Sequence, residues 1–236
     1  MHKILYRGVS DEENHLLLST IGRLYLDISE IDRYERELLD SYKKLPFNKN
    51  LIKYKLNHVN EDMFYLSLGR HIGLNCRLLD WTSSIDVAEY FASCNPLDMN
   101  KTGCVWKMEI PDDYFNRTHY EQISPFELPD IINVVKMDYW GDSVSEFPEP
   151  IRRRFTQNGF FSISKLEYIN TPINEMELGE IKISKYKEIS PCNKRGNLKR
   201  LKEIRDRILL TNEEVEVLLL NNKYKTNKDY GKENDL

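Results

Sequence analysis

The segment 70–92 reads RHIGLNCRLLDWTSSIDVAEYFA, and the organisation of the chain can be worked out from it. Residues 70–83 hold two arginines, a histidine, an aspartate, a tryptophan and two hydroxyl side chains. Residues 75–82 show no clean hydrophobic period, so we expect a loop between two apolar helices. Loops positioned by rigid elements are where binding and catalytic groups usually lie. The segment is therefore the first candidate for a functional site.

The residues on either side of this loop favour helices. From Ser29, a candidate N-cap, apolar side chains recur at helical spacing over the next four turns. A second helix should begin at Asn60 and end near Gly73, because glycine suits the left-handed position that follows a helix. A third helix should begin after Ser83 or Ser84, either of which can act as its N-cap.

Strand-forming patterns dominate after the third helix. The expected strands, together with a short one near the N-terminus, are 3–6, 103–110, 131–138, 159–163 and 180–186. Helical patterns return at 197–209 and in a last helix to about residue 220, which opens on a capping box of Thr211 and Glu214. We predict one α+β domain over residues 1–220, in which a mostly helical N-terminal half surrounds a small mixed or antiparallel sheet. Residues 221–236 should form a polar, flexible tail.

The composition narrows the class of protein. The 236 residues carry a formal net charge of -4, and 11% aromatic residues argue for a folded chain. No aliphatic run approaches the roughly 18 residues of a membrane span, and no signal peptide is recognisable, so we predict a cytoplasmic protein without a membrane partner. The histidines and cysteines lack metal-ligand spacing, so we predict no metal site. The absence of GxxxxGK[ST] and GxGxxG argues against P-loop and Rossmann enzymes.

Five motifs follow one another in a characteristic order. They are Tyr6-Arg7-Gly8, Leu17-Leu18-Ser19-Thr20-Ile21-Gly22-Arg23, His71-x-Gly73-Leu74-x-x-Arg77-Leu78-Leu79-Asp80-Trp81-Thr82, Ala88-x-Tyr90-Phe91-Ala92 and Gln157-x-Gly159-x-Phe161. In this order they resemble the FRG domain, a family named for its Phe/Tyr-Arg-Gly start. The chain departs from the family pattern at Arg70, where glutamine is usual, and at Asn75-Cys76, which replaces Pro-Thr. The resemblance implies a bacterial defence or toxin system, with an antitoxin or another defence-system protein as partner.

The start of the chain is also similar to that of ADP-ribosyltransferases, in which a strand-borne arginine holds the phosphates of NAD. Arg7, then Thr82-Ser83, then Gln157 follow the order of the arginine, the Ser/Thr strand and the Glu/Gln motif of those enzymes. Two departures are that Thr82-Ser83 precedes a helical pattern and that no glutamate stands two positions after Gln157. This resemblance implies NAD as the substrate.

The chemistry of NAD sets its own requirements. Cleavage of the nicotinamide–ribose bond develops positive charge on the ribose, so the site needs a carboxylate, and cationic groups must hold the pyrophosphate. Arginine suits phosphate because its planar guanidinium donates two parallel hydrogen bonds. Asp80 or a later glutamate would supply the carboxylate, and Tyr6 or Trp81 a stacking face. The candidate residues are Arg7, Asp80, Thr82 and Gln157 for catalysis, and Tyr6, Arg7, Arg23, His71, Arg77 and Trp81 for binding the nucleotide ligand.

Three functions are open at this point. The first is an ADP-ribosyltransferase-like effector that uses NAD to modify a nucleic acid or a protein. The second is a non-catalytic module that senses a nucleotide or phosphate signal or binds another protein. The third is purely structural: Asp80 caps the next helix, Arg77 pairs with Asp80, and Trp81 belongs to the core. A single site requires Arg7, Asp80 and Arg77 to line one cleft, and we expect Trp81 and Leu78 to be buried beneath it.

Overall fold

An antiparallel sheet organises the computed structural model, which describes residues 2–24, 26–139, 151–152 and 157–206. Its six strands are β1 (His2–Val9), β2 (Leu78–Thr82), β3 (Gly103–Pro111), β4 (Ile132–Val135), β5 (Gly159–Ser164) and β6 (Lys182–Ile189). Their spatial order is β4-β5-β2-β1-β3-β6, and all neighbours run antiparallel. The strands lie close to their predicted positions, except for β2, which was not expected.

Six α-helices lie in the part of the chain that the structure describes. They are α1 (Ile28–Lys43), α2 (Glu61–His71), α3 (Ile85–Phe91), α4 (Tyr114–Thr118), α5 (Pro191–Arg200) and α6 (Lys202–Asp206). The three longest helices of the N-terminal half precede most of the strands, as the sequence predicted. The prediction of a single α+β domain is confirmed, with a six-stranded antiparallel sheet as its centre. No helix among the described residues is long and apolar enough to cross a membrane.

Two hydrophobic clusters cover the two faces of the sheet. Because successive side chains of a strand point to opposite faces, Leu5 and Val9 of β1 join the main core with α1 and α2, whereas Tyr6 packs against a smaller cluster. That second cluster contains Ala88 of α3 and Val105 of β3. The sheet is therefore covered by α1 and α2 on one face and, in part, by α3 on the other.

The glycine of Tyr6-Arg7-Gly8 lets α3 approach the sheet closely. A Cβ placed on Gly8 would lie 1.8 Å from the carbonyl oxygen of Ala88 and 2.6 Å from the amide nitrogen of Ala92. Any side chain at this position would push α3 away from β1. The third residue of the motif is thus explained by packing.

The sheet opens between its two central strands. β1 pairs with β3 over eight register positions, and β2 pairs with β5 over five. Between β1 and β2, the one register pair is Tyr6 with Thr82. The two halves of the sheet are joined at this point and diverge from it, which leaves a gap between β1 and β2.

Residues 78–82 form β2 in the centre of the sheet and not the loop that we expected. Leu78, Leu79, Trp81 and Thr82 of this strand are all buried. A strand covered on both faces lacks the alternation of polar and apolar residues that marks a half-exposed strand. The expectation of a loop was wrong for this reason, while the predicted burial of Leu78 and Trp81 is confirmed.

The helix starts agree in part with the prediction. The Asn60 side chain accepts a hydrogen bond from the Met63 amide, and Gly73 follows α2 with φ of 94°, as expected. Ser29 is not an N-cap, because α1 begins at Ile28. The signal at Ser29 was misleading since a serine side chain is also tolerated within the first turn. Of the two candidates for α3, Ser84 is the N-cap.

The N-cap of α3 allows a direct test. The Ser84 hydroxyl accepts a hydrogen bond from the Val87 amide at 3.4 Å. Ser84→Ala should therefore lower the free energy of unfolding by about 1 kcal/mol, because an amide of the first turn loses its partner. Chemical denaturation measures this difference. Ser83→Ala is the control, since Ser83 is exposed, and equal losses in both variants would contradict the assignment of the cap.

The C-terminal helix differs from the prediction. α5 begins at Pro191 and not at residue 197, and it ends at Arg200 before the short helix α6. Proline is well suited to the first turn of a helix, because its fixed φ is already helical and its missing N–H is not needed there. The predicted end at residue 209, the last helix to residue 220 and the tail 221–236 lie outside the described residues.

Candidate functional site

A cleft of about 290 Å³ lies where β1 and β2 diverge. The end of α2 and one side of α3 complete its walls. Seven of the nine residues proposed from the sequence line it: Tyr6, Arg7, His71, Asp80, Trp81, Thr82 and Gln157. The structure thus brings together residues that are up to 151 positions apart in the sequence, from Tyr6 to Gln157, whereas Arg23 and Arg77 are not among the lining residues.

Arg7 bridges the gap between the two central strands. Its Nη1 donates a hydrogen bond to the main-chain oxygen of Asp80 at 2.6 Å and lies 3.7 Å from the Asp80 carboxylate. The buried Nε of Arg7 has no hydrogen-bond partner among the described residues. Burial lowers the pKa of Arg7 to about 10, although Asp80 opposes this shift, so the guanidinium is charged at neutral pH. A buried donor without a partner is uncommon in folded proteins, and a bound ligand that supplies the acceptor is one explanation for it.

Arg70 holds the Asp80 carboxylate from the other side. Its Nε donates to Asp80 Oδ2 at 2.7 Å, and its Nη2 lies 2.6 Å from the same oxygen. Burial opposes ionisation of Asp80, but Arg70 and Arg7 outweigh it and keep the pKa of Asp80 below its usual range. Asp80 is therefore ionised at neutral pH. The stability that this ion pair contributes is lost as the pH falls through the lowered pKa.

The charged side chains that line the cleft carry a net positive charge. Among its lining residues Arg7 and Arg70 are the two arginines, and Asp80 is the one carboxylate. Arg70 belongs to the central segment 70–92, but it was not among the residues predicted to bind a ligand. Its departure from the FRG pattern could have indicated a role in the site, since this chain has an arginine where glutamine is usual. The second arginine leaves the cleft with one more positive than negative group.

Thr82 and Trp81 are engaged with the protein itself. The Thr82 hydroxyl donates to the main-chain oxygen of Gln157 at 2.5 Å and accepts from the Ser84 amide at 3.0 Å. Trp81 donates from Nε1 to the hydroxyl of Ser162 at 2.9 Å and is only 2% exposed. Thr82 thus ties the main chain of Gln157, another lining residue, to β2, and Trp81 anchors β2 to β5.

Arg77 lies in the core, so the expectation that it shares the cleft with Arg7 and Asp80 is wrong. Its Nε donates to Glu35 Oε2 at 2.6 Å, its amide donates to Glu35 Oε1 at 2.7 Å, and its Nη2 donates to the oxygen of Pro125 at 3.0 Å. Positions three apart in an extended chain point to opposite faces, which separates Arg77 from Asp80. The alternative pairing of Arg77 with Asp80 is wrong for the same reason.

Arg23 lies near the cleft without lining it. Its Nη2 donates to the main-chain oxygen of Leu16 at 3.2 Å. It is close enough to Arg7 to contribute to the lowered pKa of that residue. Arg23 therefore adds to the positive potential around Arg7, which favours anions on electrostatic grounds.

The comparisons with known proteins agree with the motifs. Residues 2–101 match the family model of the FRG domain. A search of curated proteins and a search of solved structures found no significant match. The matched range runs from β1 past α3 and includes Arg7, Arg70 and Asp80. Residues 2–101 are thus similar to the FRG domain, and this matched range supplies every described lining residue of the cleft except Gln157.

Proposed function

We propose that the cleft binds a phosphate-bearing nucleotide, with NAD as the leading ligand, and that the protein acts as an ADP-ribosyltransferase-like enzyme. The observation that carries the proposal is the buried Arg7 guanidinium: its Nε lacks a partner among the described residues, and Arg7 lines a cleft whose charged side chains are two arginines and one aspartate. A phosphate oxygen is the acceptor that such a group binds best. Arg7 also lies on a strand near the start of the chain, as the phosphate-holding arginine does in the ADP-ribosyltransferases that this segment resembles.

The size and lining of the cleft suit one half of a dinucleotide. Its volume of about 290 Å³ is just below the range for small-molecule sites, which is roughly 300–1,000 Å³. Tyr6, Val87 and Phe91 give one wall an apolar character suited to a ring. The pyrophosphate would then lie at Arg7, and the second ring of the dinucleotide would lie outside the cleft.

The reaction that we propose is transfer of ADP-ribose from NAD to an acceptor. The bond between ribose C1′ and the nicotinamide nitrogen breaks, and nicotinamide leaves with the bonding electron pair. An oxygen or nitrogen of the acceptor forms the new bond to C1′, and its proton passes to water. Ionised Asp80, held in place by Arg70, would stabilise the positive charge on the ribose, and Gln157 would contact a ribose hydroxyl.

One observation favours a second candidate function, which is nucleotide sensing without turnover. Asp80 is the one carboxylate among the described lining residues, and it is already paired with Arg7 and Arg70. A carboxylate held between two arginines stabilises a transition-state cation less than a free one does. The same cleft would then act as a phosphate-sensing or protein-interaction module.

The biological setting is part of the same proposal. The role of a bacterial defence or toxin-type effector is what the resemblance to the FRG family implies, and the family-model match over residues 2–101 agrees with that resemblance. We propose that it acts in the cytoplasm on a nucleic acid or protein target, with an antitoxin or another defence-system protein as its partner.

Titration calorimetry of the full chain tests the proposed ligand. NAD and ADP-ribose should bind, while adenosine should bind at least tenfold more weakly because it lacks phosphate. The affinity for NAD should fall as salt is added, since salt screens the attraction between charges. Equal binding of adenosine, or no binding of any of the three, would contradict the proposal. Release of nicotinamide, measured by chromatography with and without cell extract, separates the enzyme from the sensing module.

A further inference from the structure

A stretch of strongly basic sequence lies outside the cleft. Residues 182–202 contain eight lysines and arginines and a single glutamate, which gives them a formal charge of +7. The whole chain has a formal net charge of -4, so positive charge is concentrated in this stretch against the overall balance. Such asymmetry is typical of a surface that binds a polyanion.

The basic stretch begins at one edge of the sheet. It consists of β6, which is an edge strand of the described sheet, followed by α5 and the start of α6. Lys194 is buried, and its Nζ donates to the main-chain oxygens of Ser10 and Asp98 at 2.6 Å each. The other seven cations are exposed, and we call them the basic surface: Lys182, Lys185, Lys187, Arg195, Lys199, Arg200 and Lys202.

Ion pairs neutralise only part of the basic surface. Lys185 pairs with Glu12, while Lys187 and Arg200 both pair with Glu89. The remaining cations form no ion pair with a described residue; they are Lys182, Arg195, Lys199 and Lys202. Two of them stand at positions i and i+4 of α5, where like charges repel each other. An anionic partner would relieve this repulsion.

The basic surface is connected to the cleft through α3 and through a pair of tyrosines. Glu89 of α3 holds Lys187 and Arg200, while the neighbouring Ala88 lines the cleft. Tyr186 of β6 is 48% exposed, and its ring contacts that of Tyr6, a lining residue, with 5.3 Å between the ring centroids. An exposed aromatic ring therefore stands between the basic surface and the cleft.

We propose that the basic surface binds single-stranded nucleic acid and presents a base to the cleft, which makes a nucleic acid the acceptor of ADP-ribose. The proposal of an acceptor rests on the proposed function, whereas the binding of nucleic acid does not. Lysines and arginines contact phosphates, and an exposed aromatic ring stacks with an unpaired base. Tyr186 favours this partner over an acidic protein, because every nucleotide of a single strand carries an aromatic base beside its phosphate. A duplex fits less well, since its bases are already stacked inside.

Fluorescence anisotropy with the full chain tests the binding. The probe is a fluorescein-labelled single-stranded oligonucleotide of mixed sequence and about 12 nucleotides, within the range that single-strand sites cover. The triple variant Arg195→Gln, Lys199→Gln, Lys202→Gln should lose at least tenfold in affinity. Its plot of log affinity against log salt should become shallower by about 2, since each lost contact to single-stranded phosphate removes ~0.7. Circular dichroism checks that the variant is folded.

A matched triple variant removes the same charge elsewhere. Arg33→Gln, Lys44→Gln and Lys53→Gln replace exposed cations in α1 and in the residues that follow it, on the other face of the sheet. The affinity and the salt slope of this control should equal those of the wild type. If both triple variants lose affinity equally, binding depends on net charge alone and the assignment to the basic surface is overturned.

Tyr186 separates stacking from charge. Tyr186→Ala should lower the affinity about tenfold with an unchanged salt slope, because the ring stacks on a base and contacts no phosphate. Tyr186→Phe, which keeps the ring, should bind like the wild type. No loss in Tyr186→Ala, or equally tight binding of a polyglutamate peptide, would overturn the choice of nucleic acid.

Calorimetry with NAD on the same preparations distinguishes the two proposals. Wild-type protein that binds NAD but not the oligonucleotide would overturn the nucleic-acid surface and leave the proposed function intact. Protein that binds the oligonucleotide but not NAD would support the basic surface and overturn the acceptor role together with the proposed function. Transfer of label from NAD to the oligonucleotide, lost in the triple variant of the basic surface, would support both.

Discussion

Glu35→Ala should lower the free energy of unfolding by about 3–5 kcal/mol, which is the usual cost of removing one partner from a buried ion pair. The Glu35 side chain is 0% exposed and that of Arg77 is 4% exposed. Both carboxylate oxygens of Glu35 are bound by Arg77, one by the amide and one by Nε. Without Glu35, the guanidinium of Arg77 would remain buried with its charge unpaired. Urea denaturation measures the loss.

A second carboxylate of the same helix provides the control. Asp32 is 34% exposed and pairs with Arg36 one turn further along α1. Asp32→Ala should change the free energy of unfolding by no more than about 0.5 kcal/mol, because exposed pairs of this kind contribute little. If Glu35→Ala costs no more than Asp32→Ala, the buried pair does not hold β2 in place. The double variant Glu35→Leu, Arg77→Met should recover much of the loss, since apolar replacements remove both buried charges.

The sequence predicted those features that depend on residues close together in the chain, such as the ends of helices. As expected, α2 begins after the Asn60 cap and ends just before Gly73, whose backbone is left-handed. Both signals were readable because each acts within one turn of the chain. The burial of Trp81 was also predictable, since a large aromatic ring is most stable when packed. These features required no knowledge of which strands are neighbours.

The pairings across the sheet could not be predicted in this way. Glu35 and Arg77 are separated by 42 positions, and Arg7 and Asp80 by 73. Arg77 was expected in the cleft because it stands beside short polar residues close to Asp80 and because arginine suits phosphate, but the direction of a side chain depends on the strand that carries it. Once β2 is recognised as a central strand, Arg77 and Asp80 must lie on opposite faces.

The meeting of Arg7 with Asp80 depends on a single register position. Among the described residues, Tyr6 with Thr82 is the one register pair between β1 and β2, and the Arg7 side chain adds a second link through Asp80. The sequence motifs Tyr6-Arg7-Gly8 and RLLDWT are therefore two sides of one cleft, with the glycine needed for the approach of α3. Packing explains Gly8 and Trp81, but it does not explain why a buried arginine keeps an unused donor.

Arg7→Ala should weaken binding of NAD by at least about a hundredfold, which corresponds to ~2.7 kcal/mol. The variant removes the charged donor that we assign to the phosphate, and hydrogen bonds to charged groups contribute about 1.5–3 kcal/mol each. Arg7→Lys should retain part of the affinity, because lysine keeps the positive charge. The rest should be lost, because lysine cannot form the two parallel hydrogen bonds of a guanidinium. Calorimetry on the folded variants measures both. The melting temperature of Arg7→Ala should change far less than that of Glu35→Ala.

Arg23→Ala is the control for charge near the cleft. Arg23 lies close to Arg7 but does not line the cleft, so its loss should weaken NAD binding only a few-fold by reducing the local potential. Equal losses of NAD affinity in Arg7→Ala and Arg23→Ala would mean that binding depends only on the positive potential around the cleft. Arg7 would then not contact the phosphate of NAD. A fall in melting temperature in Arg7→Ala as large as that in Glu35→Ala would assign Arg7 to the fold. In that case the bridge from Arg7 to Asp80 would serve to join the two halves of the sheet, and the proposed function would lose the observation on which it rests.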